Sequence, residues 1–84
     1  MKPLQIEFDG IGEVRGMHFK QIKASKKGYI YEVSDGSTSN HYEVFLRREN
    51  TRFGTITYPK SNNFGIWAWA CPTLERALQK FEEL

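Results

Sequence analysis

Three side chains in this sequence have the chemistry of a nucleophile, a general base or a metal ligand: His18, His41 and Cys71. They are far apart along the chain, and none lies in a recognisable nucleophile or metal-ligand motif. The single cysteine excludes an internal disulfide and a cysteine-based zinc site within one chain. The carboxylates form no pair that spacing alone would reveal. We therefore predict a protein that is not an enzyme and that uses no metal or other cofactor.

A second pattern, of tryptophans and cations, has the chemistry of binding. In "FGIWAWA", Trp67 and Trp69 stand one residue apart, and in an extended chain both rings point to the same side. Residues 15 to 60 include nine lysines and arginines but only four acids, although the whole chain has a net charge of only +2. Sheets that bind single-stranded nucleic acid combine aromatic rings that stack on bases with cations that contact phosphates. The predicted nucleic-acid-binding residues, for DNA or RNA, are Lys20, Lys23, Lys26, Lys27, Arg47, Arg48, Arg52, Lys60, Trp67 and Trp69.

The same rings have another interpretation, in which they fill the core and the charges only solvate the surface. Tryptophan is heavily buried on average, which favours this interpretation. Like charges spread along strands are also more often a solvated surface than a binding site. The second function is therefore a protein-interaction or accessory domain, whose partner is another protein. Both functions remain open at this point.

One glycine pattern looks at first like a phosphate-binding loop. In "GIGEVRG" the third glycine, Gly16, comes one residue too late for the dinucleotide-binding spacing. The following "MHFKQIK" has the pattern of a strand, so no helix N-terminus would receive a pyrophosphate. These glycines are better explained as turn residues.

The elements that must position these side chains form a small α+β domain. The chain has 84 residues, enough for one domain with one modest core, and twelve of them are aromatic. The segment "TLERALQKFEEL" predicts a C-terminal amphipathic helix, with Thr73 as N-cap and Glu75 in the first turn. Its apolar stripe consists of Leu74, Ala77, Leu78, Phe81 and Leu84.

The rest of the chain predicts strands joined by short connections, which favour antiparallel neighbours. The predicted strands are "LQIEF", "MHFKQIKA", "YIYEVS", "HYEVFLRR", "FGTITY" and "FGIWAWA". The loop "DGSTSN" suits a hairpin, with Gly36 able to take a positive φ. We predict an antiparallel meander of four to six strands, with the helix packed on one face.

Two arrangements of the last strand remain open. Either Ile66, Ala68 and Ala70 lie under the helix, which would put the tryptophans on the other face beside Phe45 and Arg47, or the tryptophans lie under the helix as core. A sheet of this size that curls would bury both faces in part.

The last half of the chain resembles two families of DNA-binding domains. These are the Apetala-type plant domain and the arm-type domain of phage and transposon integrases, in which a three-stranded sheet precedes one helix. In both, a last strand with Trp or Tyr leads into a helix of the pattern T-x-E-x-A-x-x-x-[FY], matched here by Thr73, Glu75, Ala77 and Phe81. Several strands precede this unit here. The resemblance implies that the sheet enters the major groove and that the contacts are Arg47, Arg48, Arg52 and Trp67.

The start of the chain, "MKPLQIEF", lacks the basic and then apolar run of a signal peptide, and no segment approaches the length of a membrane span. With one cysteine, a reducing, cytoplasmic setting is the expectation, with no membrane partner. An uncovered sheet edge leaves open a homo-oligomer formed by strand pairing.

Overall fold

The computed structural model describes residues 1–36 and 40–84. Within these residues the chain forms seven β-strands, one α-helix and two short 3-10 helices, at Gly12–Val14 and Ser61–Asn63. The strands and the helix are β1 (Glu7–Asp9), β2 (His18–Ala24), β3 (Gly28–Ser34), β4 (Asn40–Leu46), β5 (Glu49–Asn50), β6 (Thr55–Ile56), β7 (Ala68–Cys71) and α1 (Leu74–Glu82).

Five of the strands form one antiparallel sheet in the order β1-β2-β3-β4-β7, and β5 pairs with β6 in a separate two-stranded sheet. The first four strands follow one another as a meander. The β5–β6 hairpin is inserted before the chain returns to place β7 beside β4. This architecture confirms the predicted α+β fold with one C-terminal helix packed on an antiparallel sheet.

Helix α1 covers one face of the sheet over β3, β4 and β7. It starts as the sequence predicts, because the Thr73 hydroxyl accepts a hydrogen bond from the Arg76 N–H at 3.2 Å. Ala77 on the helix is fully buried and packs with Ile30, Val44 and Cys71. Of the predicted apolar stripe, Ala77, Phe81 and Leu84 pack against the sheet, as a helix this short requires for stability. The prediction is wrong for Leu74 and Leu78, which are 39% and 38% exposed.

The opposite face holds the larger, mostly aromatic core, centred on Tyr31 and Phe45, which are both fully buried. The N-terminal segment and the stretch between β4 and β7 lie over this face, contributing Leu4, Ile56 and Tyr58. The Tyr58 ring packs edge-on against Phe45 with centroids 4.7 Å apart. Both faces of the two central strands, β3 and β4, are therefore covered by other parts of the same chain.

Several predicted strands are shorter in the structure, and "FGIWAWA" belongs to β7 only from Ala68 onward. In "LQIEF" the strand starts only at Glu7, since the chain before it turns aside so that Lys2 pairs with Thr55. "FGTITY" contributes only the two residues of β6. The predicted loop "DGSTSN" includes residues 37–39, which lie outside the described residues; Gly36 has the expected positive φ of 87°.

Candidate nucleic-acid interface

The two tryptophans lie on opposite faces of the sheet. Trp69 is in β7 opposite Val44, and the Lys80 ammonium of α1 lies 4.2 Å from its ring centroid, so its ring is on the helix side. Trp67 belongs to the aromatic core on the other side. The expectation that both rings point the same way is wrong because Trp67 precedes the strand, in a turn where Gly65 has a φ of 89°. An extended chain is needed for the alternation, and here it begins at Ala68.

Neither of the two arrangements predicted for the last strand therefore matches the structure in full. Ala68 is fully buried in the core opposite the helix, and Ala70 is exposed. Trp69 is half-buried beside the helix, whereas Trp67 is only 8% exposed and lies beside Phe45, with ring centroids 6.4 Å apart. The pair cannot form one stacking platform for bases, since the rings are separated by the sheet and one of them is buried.

Four of the predicted cations lie at one end of the sheet, which we call the basic end: Lys26, Lys27, Arg47 and Arg48. The first two are in the turn between β2 and β3, and the last two follow β4 directly. The Arg47 N–H donates to the Lys27 carbonyl over 2.7 Å, which joins the two segments. The sequence forms this junction because β3 and β4 are paired in a register that sets Gly28 opposite Leu46.

The turn that carries the lysines is held by its own serine. The Ser25 hydroxyl accepts hydrogen bonds from the N–H groups of Lys27 and Gly28, at 3.1 and 3.3 Å. Lys26 and Arg47 also line one shallow depression of about 390 Å³, together with Met1. The backbone under these cations is thus well defined, while their side chains are exposed.

The basic end has little compensating negative charge. Arg47 forms an ion pair with Glu49 at 3.2 Å. In the part of the chain that the structure describes, no salt bridge joins Lys26, Lys27 or Arg48 to a carboxylate. Arg48 instead lies over the ring of Trp67, 5.2 Å from its centroid, as a cation–π pair.

The tip of the β5–β6 hairpin adds a cation and a ring that faces solvent. Phe53 is 69% exposed, and the Arg52 guanidinium lies 5.5 Å from its ring centroid. Arg52 is one of the residues predicted from the sequence, whereas Phe53 is not. The sequence feature that indicates its exposure is its position between the turn residues "ENTR" and Gly54. This position places Phe53 at the tip of a hairpin and outside the paired strands.

The other predicted cations lie elsewhere. Lys20 stands between Glu7 and Glu32 on the neighbouring strands, so acids surround it. Lys23 lies over the Phe81 ring of the helix at 5.0 Å. Lys60 precedes the second 3-10 helix, apart from the turns that form the basic end. The ten predicted residues therefore form no single surface.

The two histidines belong to separate clusters of charge. His18 lies between Glu7 and Asp9, with nitrogen–oxygen distances of 2.6 and 2.8 Å, and these hydrogen bonds raise the pKa of its imidazole above the usual 6.5. His41 contacts Glu43 at 3.2 Å. Among residues 1–36 and 40–84, no group of three or more histidine, cysteine or carboxylate side chains is arranged to hold a metal ion.

Comparisons with models of known protein families, with curated proteins and with solved structures give no match to this chain. The helices of the described residues include none that is both long enough and apolar enough to span a bilayer.

Proposed function

We propose that this chain is a non-enzymatic module that binds nucleic acid by contacting phosphates with its basic end. The observation that supports this best is that the turn with Lys26 and Lys27 is bonded to the segment with Arg47 and Arg48 at one end of the sheet, and that all four residues are exposed. A single carboxylate, Glu49, is paired with them. Contacts to phosphates are made by such cations and need no preformed pocket for a base.

This mode of binding has a defined electrostatic signature. Each phosphate neutralised by lysine or arginine releases condensed counterions, so the association constant falls as salt rises. Four contacts to a single strand would give a slope of about −3 in a plot of log K against log salt. Arg47 and Arg48 can each hold a phosphate through two parallel hydrogen bonds, which also orients the backbone.

The burial of Trp67 favours a second candidate function, an accessory or protein-interaction domain. In that function the tryptophan is structural, and the same cations meet an acidic segment of another protein. A homo-oligomer would use the outer edges of β1 or β7, which end the five-stranded sheet. A reducing, cytoplasmic setting is part of both proposals, because Cys71 is a free thiol.

The test measures binding of a labelled oligonucleotide by fluorescence anisotropy across a range of salt concentrations. The variant Lys26→Glu/Lys27→Glu reverses two charges at the basic end. The control Arg15→Glu/Lys60→Glu makes the same change in net charge at two exposed residues outside the strands and away from the basic end. We expect the first variant to bind more weakly than the control, and its salt slope to be less steep by about 0.7 for each phosphate of a single strand that it no longer neutralises.

Two results would contradict the proposal. The first is no binding by the wild-type protein at low salt. The second is equal weakening by the two double variants, which would mean that net charge alone is responsible. Titration with poly-glutamate separates the candidates, since equal affinity for this acidic polypeptide and for the oligonucleotide would favour the protein-interaction function.

A further inference from the structure

The hairpin tip carries the exposed aromatic ring that the tryptophans do not provide. All twelve aromatic side chains lie in described residues, and eleven of them are buried or half-buried. Phe53 is the exception, at 69% exposed. A single exposed apolar side chain needs no explanation by itself, so a role for Phe53 depends on the backbone that holds it and on the cations near it.

The backbone that presents this ring is held from three sides. The Asn50 side-chain oxygen accepts hydrogen bonds from the N–H groups of Arg52 and Phe53, at 3.1 and 3.3 Å. Gly54 completes the turn with a φ of 65°, a conformation that favours glycine. The Gly54 carbonyl accepts the Lys2 N–H at 2.7 Å, which ties the tip to the N-terminal segment. The ring is thus mounted on a preorganised turn, which lowers the entropic cost of contact with a ligand.

The hairpin that carries the ring begins and ends beside the basic end. The hairpin begins at Glu49, directly after Arg47 and Arg48, and its second strand ends at Ile56, which lines the same depression as Lys26 and Arg47. The Arg52 guanidinium beside the ring adds a further cation at the tip. A chain of phosphates that followed these cations would bring its bases past an exposed aromatic face.

From this arrangement we infer that Phe53 is a base-stacking residue and that the ligand of the basic end is unpaired nucleic acid. The inference rests on the proposed function and narrows its ligand to single strands or loops. In a duplex the faces of the bases are already stacked on each other, so a protein ring gains nothing from them unless a base is extruded. Stacking on an aromatic side chain works with any base, so no sequence preference is implied.

The experiment compares three labelled probes at the same low salt: an oligothymidylate of about 15 nucleotides, an abasic strand of equal length, and a duplex. The proteins are the wild type, Phe53→Ala, Phe53→Trp and the control Ile66→Ala. Ile66 is 70% exposed but precedes β7, so its truncation removes a comparable apolar group elsewhere. Thermal unfolding of each variant checks that the fold is unchanged, as expected for two exposed side chains.

We expect Phe53→Ala to weaken binding of the oligothymidylate by roughly 5- to 150-fold, the range measured for loss of one stacked base. Its affinity for the abasic strand and the duplex stays as in the wild type. Phe53→Trp retains binding of the oligothymidylate, and Ile66→Ala has no effect on any probe.

The inference is overturned if Phe53→Ala binds the oligothymidylate as the wild type does, or if it loses affinity for all three probes equally. In the first case Lys26→Glu/Lys27→Glu still weakens binding when the proposed function is correct. Failure of the wild-type protein to bind any probe would overturn the proposed function itself, which distinguishes the two failures.

Discussion

The guanidinium carbon of Arg48 lies 5.2 Å from the centre of the Trp67 ring, so the indole supports a cation of the basic end from beneath. The backbone reinforces this pairing, because the Leu46 N–H donates to the Trp67 carbonyl at 3.0 Å. A ring that the sequence suggests as a surface for bases is instead part of the core and holds an arginine over its outer face. In the proposed function Trp67 would therefore act only indirectly, through the position of Arg48.

Trp67 and Trp69 are expected to differ in their contribution to stability. Trp67→Ala removes a ring that is 8% exposed and opens a cavity in the aromatic core, at a cost of about 3–5 kcal/mol. Trp69 is half-buried at the edge strand, so Trp69→Ala costs less, about 1–3 kcal/mol. Urea unfolding of both variants measures the difference. A larger loss for Trp69→Ala would contradict the placement of the two rings.

The hydroxyl of Tyr58 and the carboxylate of Glu43 form a short hydrogen bond of 2.6 Å in the core opposite the helix. Burial, together with the negative charge of Glu43, raises the pKa of Tyr58 well above its usual range, so the hydroxyl stays protonated and donates. Tyr58→Phe removes the donor from a charged acceptor and is expected to cost about 1.5–3 kcal/mol. In a double-mutant cycle with Glu43→Gln, the effects are expected to be non-additive. Additive losses would mean that the two groups do not interact.

His18 makes stability depend on pH. Its hydrogen bonds to Asp9 and then Glu7 raise the pKa of the folded state above the unfolded value of 6.5. The protonated form is favoured by folding, so its stabilisation is complete below pH 6.5 and is lost as pH rises through the raised folded-state pKa.

Urea unfolding at about pH 6 and about pH 8 measures this effect. The free energy of unfolding of the wild-type protein is expected to be lower at the higher pH. The decrease is expected to be smaller for His18→Gln. His41→Gln serves as the control, and we expect it to show the same loss of stability between the two pH values as the wild type, because His18 is unchanged. An identical change with pH in wild type and His18→Gln would show that the imidazole is not clamped between the two carboxylates.

The thiol of Cys71 is expected to react slowly in the native state. It is only 8% exposed, and burial raises the pKa of the thiol despite the positive charges of Lys80 and Arg76. The thiolate is the reactive form, so both access and ionisation are reduced. A disulfide reagent measures the rate. The double variant Ala70→Cys/Cys71→Ala moves the thiol one residue to an exposed position and is expected to react faster. Equal rates would contradict the burial of Cys71 under the helix.

The helix and most of the sheet can be predicted from the sequence because their signals are local. Thr73 followed by an apolar stripe specifies where α1 starts and that Ala77 and Phe81 face the sheet, although Leu74 and Leu78 of the same stripe are exposed. The alternating pattern of β3 likewise separates Tyr31 from Ile30, and the structure sets them in different clusters of the core. Periodicity within one element is enough for such assignments.

The candidate site could not be predicted in the same way because it depends on contacts between distant segments. The basic end exists because the register of β3 and β4 brings Lys27 to Arg47, and strand registers are not specified by composition. The burial of Trp67 depends on a single turn at Gly65, which interrupts the alternation assumed for an extended strand. Phe53 could have been found, since an aromatic residue inside a turn sequence predicts exposure.

The most direct test of the central claim is a titration of the isotopically labelled protein with an unlabelled single-stranded oligonucleotide, followed by amide nuclear magnetic resonance spectra at low salt. We expect the largest shifts at residues 25–27, at 47 and 48 and at the hairpin tip, 52–54, and small shifts at Lys20 and Lys60. The absence of any shift, or shifts centred on Lys20 and Lys60, would contradict the proposal that the basic end binds nucleic acid.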